Sequence, residues 1–278
     1  MDDDIIEIKP TLGPFTVNIR ALVRRLGIQG KSDPVVLVAE RFLRLFLEHG
    51  IPKAQIPRLI PQLTLEKLRT TESLLPALST QVLESAATIF GGRLSWLEGA
   101  DDRIYERLSC YKQPQIFFDL LTALNIPLNG FAVRALATTK ALDCRNDRTQ
   151  QLALVLVEKV QDFGSEEIVR YHVYGDAWDW SHPPCRIQLK AMVRLIFHTS
   201  HRPVPLHQVK PAILRAIIEG KCVPHAALHG CLLTSPSLED FALSREESVQ
   251  AKETDELPAV LDYICEHDLS QAGRQQGA

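Results

Sequence analysis

Apolar residues keep a helical period as far as Leu124 and an alternating one from Phe131 onward, and Asn125, Pro127 and Gly130 mark the break. A helical period needs helices to pack on, and an alternating one needs a sheet with at least one covered face. This order predicts an all-α N-terminal helical domain over residues 14–110, followed by a small α+β domain over 113–233. At 278 residues the chain is long for one domain and suits two.

The helices of the first part have readable ends. From Phe15 to Leu26, Val17, Ile19, Leu22, Val23 and Leu26 share one face, with Arg20, Arg24 and Arg25 on the other. Pro34 opens a stronger helix, expected to bury Val35, Val36, Val38, Phe42, Leu43, Leu45 and Phe46 and to stop at His49-Gly50. Thr64 starts a further helix that carries Leu65, Leu68, Leu74 and Leu75 against Lys67, Arg69, Thr70 and Thr71. Ser79 caps the next, through Val82, Leu83, Ala86, Ala87 and Phe90, and Gly91-Gly92 ends it. Ser95-Trp-Leu-Glu-Gly99 then forms a single turn whose Trp96 closes the helical core.

Residues 50–102, with "LSTQVLESAATIFG" followed by "SWLEG", resemble the lambda-repressor-like (Cro and CI) helix-turn-helix domain. The likeness is better in its second half. In the first helix of the pair, Pro52, Pro57 and Pro61 depart from the family pattern, since each removes a backbone donor and turns the preceding residue away from helical geometry. The resemblance implies a transcriptional regulator that binds double-stranded DNA as a homodimer. Lys67, Arg69, Thr70 and Thr71 would then approach bases or phosphates, while Lys53, Gln55, Arg58 and the Arg20/Arg24/Arg25 face hold the backbone. The alternative is a protein-interaction adaptor that keeps the helical fold and reads no DNA.

Charge does not favour nucleic acid globally. The formal net charge is −3, and residues 1–110 balance 14 basic against 14 acidic side chains, so any DNA affinity must come from local clustering. Residues 234–278 sum to −7 and read as an acidic, mobile tail, leaving +4 for residues 1–233. No apolar run reaches the ~20 residues of a membrane span, and Met1-Asp-Asp-Asp is unlike a signal peptide. A cytoplasmic protein without membrane contact is expected. The six scattered cysteines fit reduced thiols.

The second part reads as strands over 131–141, 151–160 and 167–174, with a hairpin turn at Gly164-Ser165. Helices follow from Pro183-Pro184 and from about Val209 to Glu219, predicting an antiparallel sheet covered on one face, which would dimerise or sense a signal. Hydrolase, P-loop, dinucleotide and zincin motifs are absent, so neither an enzyme nor a cofactor is expected. Cys222, His225, His229 and Cys231 have ligand types that suit zinc, but four ligands within ten residues strain tetrahedral geometry, and no metal site is expected. Arg186, Lys190, Arg194 and His198 recur every fourth residue and would form a cationic ridge. With Trp178 beside them, Arg186, Lys190 and Arg194 are the candidate site for a small anionic effector.

Overall fold

The computed structural model describes residues 33–124, 130–145, 148–230, 233–234, 237–252 and 255–269. The expected helix at 15–26, with Arg20, Arg24 and Arg25, lies outside the described residues.

Helix α1 (Pro34–Glu48) starts where the Asp33 carboxylate accepts from Val35 N at 2.9 Å, with proline at the first helical position. It buries Ala39, Phe42, Leu43, Leu45 and Phe46, whereas Val35 is 60% exposed and Val36 and Val38 are half-buried. A 3-10 turn (Lys53–Gln55) runs into the single turn α2 (Ile56–Leu59). The continuous helix expected from Thr64 does not form. Turns occupy residues 65–68, and a capping box between Thr70 and Ser73 starts a new turn, α3 (Thr71–Leu74), followed by a 3-10 turn (Leu75–Ala77). Helix α4 (Thr80–Phe90) has the predicted ends, Ser79 accepting from Val82 N and Gly91 left-handed at φ 66°. The turn α5 (Leu94–Leu97) buries Trp96.

After α6 (Gln115–Ala123) come β1 (Phe131–Ala137), β2 (Gln151–Phe163) and β3 (Glu166–Asp179), an antiparallel meander. Helix α7 (Pro183–Ser200) then crosses over to β4 (Leu206–Gln208), which pairs parallel to β1. Helices α8 (Pro211–Ile218) and α9 (His225–Gly230) precede β5 (Leu233–Thr234), antiparallel to β4. The strand order is β3-β2-β1-β4-β5.

Helices cover both faces of this sheet. On one, Val133, Ala135, Leu154, Leu156 and Leu206 join Phe117 and Phe118 of α6 and Leu189, Met192 and Val193 of α7 in one core. On the other, Tyr171 stacks on His49 at the end of α1, with ring centroids 5.6 Å apart, and Gly175 lies under Ile218 of α8. Two covered faces explain why Leu152 to Leu156 form an unbroken apolar run rather than an alternating one.

The expected fold class is therefore corrected. Instead of an all-α domain followed by a small α+β domain, the chain builds a mixed five-stranded sheet with helices throughout, and Asp33–Ala278 is one compact unit. The strand β4 that makes the sheet mixed has three residues between Pro205 and Lys210, too short for a period to show. The acidic segment is corrected as well. Its described residues hold a 3-10 turn (Leu238–Phe241) and helix α10 (Leu257–Glu266), whose Val260 and Ile264 pack against Ala191 of α7.

Candidate functional site

Three groups of predicted residues can be followed to their places. In the helix-turn-helix-like segment, Lys53, Arg58, Lys67, Arg69 and Thr70 are exposed, and Gln55 and Thr71 are half-buried. Several already have work to do in the fold. The Arg58 guanidinium lies 4.1 Å from the Phe163 ring centroid at the β2–β3 turn. The Thr70 hydroxyl caps α3 by accepting from Ser73 N at 3.2 Å, and Gln55 Oε1 is buried without a donor among the described residues. Lys67 Nζ donates to the nearby Gln62 carbonyl at 3.3 Å, and Lys53, Lys67 and Arg69 have no ion pair among the described residues.

The other cations of this segment have partners within the chain. Arg41 donates to the Trp96 and Asp101 carbonyls, Arg44 pairs with Glu48 at 2.6 Å, Arg93 with Asp101 and Glu106, and Arg103 with Asp101. Apart from Arg41, the cations between Pro34 and Glu106 without an ion pair among the described residues thus lie in the stretch 53–69, where the exposed Glu66 partly offsets them.

The ridge of α7 is not a ligand site. Arg186 and Lys190 are buried, and both donate to the Glu256 carboxylate, Lys190 at 2.7 Å. Arg194 pairs with Glu247, which His198 also approaches at 3.1 Å. The acidic segment read as a tail neutralises the ridge, so Arg186, Lys190 and Arg194 are corrected from effector ligands to internal ion-pair partners. Fourfold spacing marked a real stripe but could not show that residues 247–256 lie on it.

Trp178, by contrast, lines an open cleft of about 530 Å³. Its walls come from four places in the chain: Arg107, Leu108 and Ser109 after α5, Gln151 and Leu152 at the start of β2, Gly175 and Trp178 on β3, and Arg215, Ile218 and Glu219 at the end of α8. Two features build it. Leu108 bridges Tyr174, holding the 107–109 segment at the sheet edge, and the β2–β3 register shifts between Leu152 and Leu154, opposite Gly175. A Cβ on Gly175 would lie 2.6 Å from Ile218 Cγ2, so only glycine lets α8 sit this close.

Trp178 is fully buried, and its indole N–H has no acceptor among the described residues. Arg107 and Arg215 are exposed, and neither pairs with a carboxylate among the described residues. Sequence reasoning missed both arginines, because residues so far apart in the chain carry no common spacing.

A largely buried polar group joins the end of α1 to β3 and α9. His49 Nδ1 donates to Leu45 O at 2.6 Å, which leaves Nε2 to accept from the Tyr105 hydroxyl at 2.7 Å. Burial pushes His49 down to about 3, helped by His225 nearby. His225 Nδ1 meets the Tyr171 hydroxyl at 2.9 Å, and His229 Nδ1 donates to the His225 carbonyl; Cys231 lies outside the described residues. Burial also lowers His225, to about 4.

Comparison with protein-family models, curated proteins and solved structures gives no match to this chain.

Proposed function

We propose that this protein is a DNA-binding regulator of the helix-turn-helix type, in which the sheet and its C-terminal helices sense a small molecule or dimerise. One observation carries the reading: between Pro34 and Glu106 the cations outside stretch 53–69 are paired with carbonyls or carboxylates of this chain, while Lys53, Lys67 and Arg69 project from it. Those three residues, on turns that precede a capped helix, would meet phosphates. Three contacts are few, which is why a second copy of the chain belongs to the proposal.

The test is salt-dependent binding of the full chain to a library of genomic DNA fragments. Three phosphate contacts predict a slope of log affinity against log salt of about −3 per subunit, reduced by about one for each of Lys53→Ala, Lys67→Ala and Arg69→Ala. Salt-independent binding, or none at low salt, counts against the regulator.

A second reading has an observation of its own. The element after the turn is one helical turn, Thr71–Leu74, too short to lie along a groove, and Leu65 beside it is 60% exposed. A protein-interaction adaptor would use that apolar side chain. Loss of partner binding in Leu65→Ser with no DNA binding by the parent protein would favour it.

A further inference from the structure

We propose that the cleft beside Trp178 binds a small aromatic carboxylate. The inference deepens the sensing half of the regulator by naming its ligand class, and it is measured without DNA, so the two readings fail separately. Charge is the first reason. Arg107 and Arg215 both line the cleft without a carboxylate partner among the described residues, and Glu219, the acid of the lining, lies 3.4 Å from Lys221 Nζ. Planar guanidiniums match a planar carboxylate through paired N–H donors, which a single lysine would not do.

Shape is the second reason. Leu108, Ile218 and Trp178 give the cleft apolar walls, and about 530 Å³ accommodates a ring system with an acidic side arm.

The experiment is calorimetric titration of the full chain with indole-3-acetate, its neutral analogue indole-3-acetamide, benzoate and inorganic phosphate. Saturable one-to-one binding of indole-3-acetate is expected, weaker by about tenfold or more for the amide and for Arg107→Ala or Arg215→Ala, because one charge-assisted bond is lost in each case. Without ligand, both variants should melt within about two degrees of the parent, since each removes only an exposed, unpaired side chain. The proposal is overturned if neither aromatic acid binds saturably up to about 5 mM, a concentration that corresponds to negligible affinity. It is equally overturned if the amide binds as well as the acid, if both arginine variants bind like the parent, or if phosphate competes as strongly as the acids.

Discussion

Glu256 shows how much one side chain can decide here. Its carboxylate accepts from Arg186 and Lys190, which are among the most buried cations of the chain. Removing one member of a buried ion pair leaves the others desolvated and uncompensated. Glu256→Ala should therefore destabilise the protein by about 3–5 kcal/mol in urea unfolding; a loss under ~1 kcal/mol would mean that water reaches the two cations. Arg186, ahead of Lys190, holds Glu256 down to about 2 against an ordinary value of 4.5. A depressed carboxylate stabilises the fold above its unfolded pKa, so this contribution is complete above about 4.5 and disappears as pH falls through about 2. His49 acts in a higher window. Because it stays neutral in the fold down to about 3, the unfolded chain takes up a proton first below 6.5, and stability should fall by about 1.4 kcal/mol per pH unit for this group alone. Tyr105→Phe removes the donor to its Nε2 and should cost about 1–3 kcal/mol. A Tyr105→Phe protein as stable as the parent would mean that this buried bond contributes nothing.

Elements were readable where their ends carried chemistry of their own. Ser79 and Gly91 bracket α4 as expected, and Gly164 turns the hairpin, because a cap and a left-handed glycine specify an end within a few residues. The stretch 64–77 misled for the same kind of local reason. Its leucines have helical spacing, but the Thr70–Ser73 capping box nucleates a separate turn, and Leu65 is left outside. The closing turn α5 matches expectation, with Trp96 buried and the guanidiniums of Arg41 and Arg44 at 5.4 and 5.6 Å from its ring. Trp96→Ala should cost about 3–5 kcal/mol by thermal or urea unfolding. The turn after α8 is equally demanding. Gly220 has φ 72°, its carbonyl accepts from both Ile104 N and Tyr105 N, and a Cβ there would lie 2.5 Å from the Tyr105 carbonyl oxygen. Gly220→Ala combines left-handed strain with a backbone clash and should cost at least about 2 kcal/mol.

At the scale of the molecule, the change of period near residue 125 is real but does not divide the packing. Sequence periods report which face of an element is apolar, not what covers it, and here the helices before the break cover the sheet after it. The cleft was illegible for that reason: Arg107 and Arg215 line one cleft only because α8 packs over Gly175. The same interlocking sets the last prediction. Arg170 of β3 donates to Thr88 O at 2.7 Å and Ile89 O at 3.2 Å, satisfying the final carbonyls of α4 from outside the helical segment. Tyr171 covers His49, and Gly220 supplies the acceptor for Ile104 and Tyr105. A fragment from Met1 to Ser109 loses all three supports. It should show a weak helical signal and no cooperative thermal transition, while the full chain loses helix and sheet signals together at one midpoint. Cooperative unfolding of the fragment would show instead that the helical segment is an autonomous head, able to meet DNA without the sheet behind it.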